Sequence, residues 1–244
     1  MIITYLGHSG FLAELEDVYF LFDYYKGEIP KLQKEKPLIV FVSHRHHDHY
    51  NRKIWDLRKE YPHVRYVISK DISMSERMRQ RFSITEEDLK NILRAAPNQI
   101  YEMDIWGKTA LKIETFRSTD EGTAFYLTCG KHTLYHAGDL HLWLWQEEGE
   151  EWNRDMRNRF FRELEKLRGR HVEAAFLPLD KRQENYAYAG MDAYLEAMDA
   201  DYVFPMHCWE DYGIIDAYRE ARKDRPYISS IVRIEKDGQR FELP

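Results

Sequence analysis

The sequence predicts an α/β (α+β) fold in which two mixed sheets lie face to face, flanked on their outer sides by helices. Three observations lead there. Short apolar runs of strand length come in two clusters, one before residue 70 and one after residue 99. Each cluster passes into segments with helical spacing, so the order of elements is roughly duplicated, although no residue-level repeat is present. The run "PLIVFVSH" is apolar until its end, as a strand buried on both faces requires.

The elements follow in order. "IITYL", "FLAEL" and "VYFLFD" are separated by Gly7 to Gly10 and by Glu16-Asp17, and read as a meander of strands with Asp23 at the end of the third. "PLIVFVSH" is the next strand. "NRKIWDLRKEY" reads as a helix with Asn51 as its cap, "RYVIS" as a strand, and 71–80 and 85–95 as helices. From Gln99 the strands "QIYEM", "TALKIETF", "TAFYLTC" and "HTLYHAGD" predict a second sheet, the last two joined as a hairpin at Gly130-Lys131. Across 150–167, Met156, Phe160, Phe161, Leu164 and Leu167 form one helical stripe. There follow the strand "VEAAFLPLD", a helix at 190–199, the strand "YVFPMH", a helix at 211–223 and a closing hairpin around Asp237-Gly238.

Composition narrows the function. The 244 residues, 43% of them hydrophobic, suffice for one large domain, 1–244, with no linker or low-complexity tract. A net charge of -6 disfavours an extended nucleic acid as partner. Cys129 and Cys208 stand far apart in no metal-binding spacing, which suits a reduced compartment. The opening "MIITYLGHSGFLAEL" has neither a basic leader nor a cleavable apolar run, and no membrane span is present, so the expectation is a cytoplasmic protein with a small-molecule substrate. The sequence leaves a homo-oligomer open.

The chemistry concentrates in "SHRHHDHY". In an extended chain alternate residues point the same way, so His44, His46 and Asp48 converge beyond the strand end, and His49 follows where the chain turns. Imidazoles with a carboxylate at this spacing suit one or two divalent ions, zinc first, with manganese or iron as alternatives. Two later strand ends carry matching groups: Asp139 in "LYHAGDLH", able to bridge two metals, and His207 in "YVFPMHCW", able to complete the second. His8, His136 and His141 border glycine turns or the bridging aspartate and read as structural. His47, His63, His132 and His171 read as surface or packing residues.

"HRHHDH", "AGD" and "PMH" resemble, in order and spacing, the H-x-H-x-D-H and later metal motifs of the metallo-β-lactamase superfamily, over nearly the whole chain. The "GHSGF" opening is most similar to the L-ascorbate-6-phosphate lactonase-like hydrolases. The resemblance implies a four-layer αββα sandwich. It assigns His44 and His46 to a first metal, Asp48, His49 and His207 to a second, and Asp139 as the bridge. It makes Asp23 the carboxylate that orients a ligand histidine. It also implies a metal-bound hydroxide that cleaves a small ester, lactone or phosphoester, with Asp48 orienting the water or accepting its proton.

One part of the pattern is missing. The superfamily usually supplies a third histidine to the first metal from the loop before "TAFYLTC", and this sequence has no histidine between His63 and His132. In "FRSTDEGTAF", Ser118 and Asp120 are the replacements at hand, and Asp120 is preferred because carboxylates bind divalent metals. The alternatives to a hydrolase are a non-catalytic or regulatory metal-binding member with an incomplete first site, a phosphodiesterase or nuclease, and di-iron reduction of oxygen or nitric oxide. Trp143, Trp145 and Trp152 either wall the site or pack the following helix. Lys181 and Arg182 either hold a substrate anion or belong to a solvated turn.

Overall fold

The structure, a computed structural model, describes residues 1–107 and 109–244. Its described residues form two mixed sheets. The first contains β1 (Ile2–Gly7), β2 (Gly10–Glu14), β3 (Tyr19–Phe22), β4 (Leu38–Val42), β5 (Val64–Ser69), β6 (Ile92–Ala95) and, from the far end of the chain, β13 (Arg240–Glu242). Its order is β13-β1-β2-β3-β4-β5-β6. The second contains β7 (Ile100–Ile105), β8 (Thr109–Arg117), β9 (Thr123–Cys129), β10 (His132–His136), β11 (His171–Pro178) and β12 (Asp199–Met206), in the order β12-β11-β10-β9-β8-β7. The helices are α1 (Leu57–Glu60), α2 (Glu76–Arg81), α3 (Glu86–Leu89), α4 (Glu150–Leu164), α5 (Ala189–Ala197) and α6 (Gly213–Ala221).

The layers follow from side-chain alternation. On β4, Ile39 and Phe41 enter the core between the sheets, while Leu38, Val40 and Val42 enter a second core with Ile54 and Trp55. Between the sheets Phe41 meets Phe125 at 5.3 Å and Phe11 meets Phe176 at 4.5 Å. On the far side, Tyr135 of β10 reaches Tyr194 of α5, which packs on Phe160 of α4. Two flanking helical layers and two sheets make the predicted four-layer arrangement.

Four local expectations are corrected. The helix expected over 85–95 ends at Leu89 after a capping box of Thr85 and Asp88, and Ile92–Ala95 pairs in parallel with β5 as an edge strand. The helix expected over 71–80 begins only at Glu76. No hairpin closes the chain: β13 instead pairs antiparallel with β1, because that edge offers a free ladder. Phe161 leaves the buried stripe of α4 and is 46% exposed, being one residue and about 100° from Phe160.

The topology places the site. β3, β4 and β5 run parallel, as do β10, β11 and β12, so Asp23, His44, Asp139, Asp180 and His207 all follow strand C-termini. β1 and β8 point the same way, which brings the β1–β2 turn and the β8–β9 loop to that edge as well. The carboxyl ends of parallel strands are where open α/β sheets bind ligands.

Candidate metal centre

Asp23 fixes the start of the histidine segment. Its carboxylate accepts from the Ser43 amide at 2.7 Å and the Ser43 hydroxyl at 2.6 Å, and contacts His49 Nδ1 at 2.8 Å. Ser43 Oγ in turn lies 2.9 Å from His44 Nδ1. Two glycines let neighbouring loops press on Ser43. A Cβ on Gly122 (φ 76°) would stand 1.9 Å from the Ser43 carbonyl oxygen, and one on Gly138 (φ 51°) 2.7 Å from Ser43 Cβ. The first approach delivers Asp120 and the second delivers Asp139.

The side chains gather in two groups, within each of which the ligand atoms lie within 4.8 Å of one another: His44, His46, Asp120 and Asp139, and His8, Asp48, His49 and His207. Asp139 faces both. Its Oδ2 is 3.4 Å from His44 Nε2, and its Oδ1 is 3.1 Å from His49 Nε2 and 3.7 Å from His207 Nε2. The β8–β9 loop puts Asp120, 3.4 Å from His46, into the first group. Ser118 stays outside, its hydroxyl accepting from the Asp120 amide at 3.1 Å.

The orphaned atoms test whether these groups fit metal ions. His8 Nε2, His44 Nε2, His49 Nε2 and Asp139 Oδ1 are all buried without a hydrogen-bond partner. Such atoms are costly unless something satisfies them. In two of these rings the other nitrogen is already engaged, His49 Nδ1 by Asp23 and His44 Nδ1 by Ser43, and His207 Nδ1 is likewise engaged by Asp180 at 2.8 Å. This fixes the ring orientation and leaves Nε2 free toward the gap, the arrangement that ligating histidines adopt. The donor sets fit divalent ions.

Sequence reasoning missed two of these residues. His8, expected to be structural, enters the second group from the β1–β2 turn at φ 56°, with its carbonyl accepting from the His207 amide at 3.1 Å. Its signal was a glycine-flanked histidine at the same sheet edge. Asp180, given no role in the sequence beside Lys181 and Arg182, is buried and orients His207. His136 is structural: Nε2 meets the Ser9 carbonyl at 3.0 Å, Nδ1 accepts from the Gly138 amide, and the ring stacks on Phe22. His141 is buried and bonds Gln183. His47, read as a surface or packing residue, is exposed and borders the cavity.

Electrostatics match the geometry. Burial pushes His8, His44 and His141 down to about 4, so all three are neutral near pH 7. Burial would raise the Asp139 carboxyl, but the imidazoles of His49, His207 and His44 hold it well below its usual range. Burial would lower His49, but Asp139 and Asp23 outweigh it and raise it. Asp48 is held low against burial by His8 and His49.

A stability prediction follows for metal-free protein. A histidine whose folded pKa lies below its unfolded value of about 6.5 favours the fold fully above that pH. That contribution is lost as the pH falls toward about 4, the folded value of His8, His44 and His141. Denaturant titrations of chelator-treated protein at pH 7 and pH 4.5 should show a drop on the order of 3 kcal/mol per such site, before non-additivity. A flat profile over this window would contradict neutral burial.

Above the groups lies a cavity of about 800 Å³ whose lining includes His46, Asp48, Asp120, Asp139, His207 and four tryptophans. Trp143, Trp145 and Trp152 line it, and so does Trp209, which the sequence did not single out. Lys181 turns away to Asp211 at 2.5 Å, and Arg182 pairs with Asp180. No helix among the described residues is long and apolar enough to cross a membrane.

A family model described as a beta-lactamase superfamily domain matches residues 2–155. No curated protein matches the sequence. Among solved structures, the chain is similar to CmlA, a diiron beta-hydroxylase from Streptomyces venezuelae, at 12% identity and a TM-score of 0.64 over 99% of this chain, which spans 54% of that protein. It is also similar to Igni18, a metallo hydrolase from Ignicoccus hospitalis, at 18% identity and a TM-score of 0.59, covering 100% of this chain and 99% of that one. The metallo-beta-lactamase fold protein YhfI from Bacillus subtilis matches at 18% identity and a TM-score of 0.57, with 98% of each chain covered.

Proposed function

Because this chain belongs to the beta-lactamase superfamily, we propose that it is a metal-dependent hydrolase that cleaves a small ester or lactone with one or two divalent ions. His44, His46, Asp120 and Asp139 would hold the first ion, and His8, Asp48, His49 and His207 the second, with Asp139 shared. The observation that carries this reading is Asp139, which turns one oxygen to each group while buried imidazole nitrogens around it stand without partners. Zinc suits the second group, with three imidazoles and one carboxylate. The second carboxylate of the first group also admits manganese or iron.

Divalent ions, when bound, supply Lewis acidity that makes hydroxide available near neutral pH. The protein's own groups supply the rest. Asp48 is held ionised and lines the cavity, where it can accept a hydrogen bond from the attacking water and orient it. Asp23 and Asp180 fix the tautomers of His49 and His207. The cavity opens onto both groups, which favours catalysis over a closed, regulatory metal site. Of the finer resemblance, lactone chemistry is kept here, whereas phosphate recognition has no free anchor, since Lys181 and Arg182 are both paired with carboxylates.

Chelation should abolish ester hydrolysis, and added zinc or manganese should restore it; activity unchanged in metal-free protein would end the proposal. Asp120→His should shift relative affinity toward zinc over manganese by roughly tenfold, read by competitive metal titration. A second reading, oxidation at a di-iron centre, is favoured by the same Asp120 carboxylate. Iron in the purified protein with visible absorption, and no hydrolysis after reconstitution with zinc, would replace the first reading with this one.

A further inference from the structure

The shape of the cavity specifies what kind of molecule it takes, an inference that rests on the hydrolase reading for the reaction but not for the binding. Its volume of about 800 Å³ suits one small ligand. The lining combines members of the two metal-ligand groups with Glu121 and Thr119, two arginines, Met156 and four indoles. Trp143 and Trp145 lie parallel, at an interplanar angle of 5° and a centroid separation of 6.2 Å. Trp143 comes within 5.2 Å of the His207 ring and Trp209 within 4.5 Å of the His8 ring, so the apolar wall begins where the metal-ligand groups end.

The Trp143 ring and the backbone of Trp145 are held in place. Trp143 Nε1 donates to the Asp139 carbonyl at 3.0 Å. Asn153, buried on α4, accepts from the Trp145 amide at 3.2 Å and donates to the Trp145 carbonyl at 2.9 Å. Trp209 sits at φ 50° with the Arg182 guanidinium 4.6 Å from its ring centroid. A surface fixed before binding keeps the entropic cost of binding low.

The cations at the rim are already committed. Arg182 lies 3.0 Å through Nε and 2.5 Å through Nη2 from Asp180, and Arg159 donates to Asp155 at 2.8 Å and to the Thr119 carbonyl at 2.7 Å. Beyond the metal-ligand groups, Glu121 and Thr119, what the cavity offers an apolar group is the indoles and Met156. We propose that the substrate carries a flat, uncharged aromatic group beside the ester or lactone bond, stacked on the tryptophan wall, and that phosphorylated sugar lactones are not substrates. In the reaction water adds across the acyl C–O bond, its oxygen joining the acyl carbon and a proton passing to the departing alkoxide.

Two measurements test this. The first compares kcat/KM for 2-naphthylmethyl acetate, cyclohexylmethyl acetate and 6-phosphogluconolactone on metal-loaded protein; the two acetates have similar leaving groups, so the ratio reports the wall. The aromatic ester should lead by about tenfold or more, and Trp145→Ala or Trp152→Ala should bring the ratio toward one. Phe161→Ala, on an exposed ring outside this cavity, should leave the ratio unchanged. The second is calorimetric binding of 2-naphthylmethanol against cyclohexylmethanol to the unaltered chain, with about tenfold tighter binding expected for the aromatic alcohol. Equal binding, or preferred turnover of the phosphorylated lactone, overturns the inference. Hydrolysis without aromatic preference leaves the hydrolase reading standing while this one falls. Aromatic binding with no hydrolysis of any ester supports the site and sinks the hydrolase reading.

Discussion

Asp139→Asn should reduce ester turnover by at least about 10³-fold and leave the chain folded. The exchange keeps the shape of the side chain and removes the charge that faces both ligand groups. His44, His49 and His207 then meet a neutral amide where a carboxylate stood at 3.4, 3.1 and 3.7 Å. Elemental analysis should show fewer than the wild-type number of ions per chain, while far-ultraviolet circular dichroism is unchanged. Turnover and metal content equal to wild type would show that Asp139 does not join the two groups.

Gly122→Ala should destabilise the protein by about 3 kcal/mol or more, lowering Tm by on the order of 10 °C. The backbone there lies at φ 76°, and an added Cβ would come within 1.9 Å of the Ser43 carbonyl oxygen, an acceptor already bound to the Thr123 amide at 2.9 Å. Neither partner can yield, because Ser43 is tied to Asp23 by two hydrogen bonds. Relief therefore requires the β8–β9 loop to lift, and Asp120 lifts with it. Metal affinity of the first group should fall together with stability, read by thermal unfolding with and without added ion. A variant as stable as wild type would mean that the loop has another way to pack.

How legible was the site? The segment His44 to His49 declared itself, since several imidazoles and a carboxylate beside a buried strand have little other use. Asp139 and His207 were found because each ends an apolar run. His8 was set aside because nothing local separates a histidine in a tight turn from one in a metal site. Its place depends on β1 lying two strands from β3 in the same direction and on the hydrogen bond from the His207 amide. Asp180 was given no role beside Lys181 and Arg182, because its partner, His207, lies 27 residues away in sequence.

The fold shows the same division. Alternating and continuous apolar patterns are local properties, and they determined the strands, the main helices and the layering. Residues 92–95 became a strand because β5 offered an open edge, and β13 joined β1 for the same reason. Pairing is a long-range choice that a local period does not record. The sequence by itself determined the histidine segment, Asp139 and His207 as candidates and that each follows an apolar strand. The tertiary structure alone decided which of them meet, because convergence depends on strand direction and order, and on glycines that let distant backbones touch.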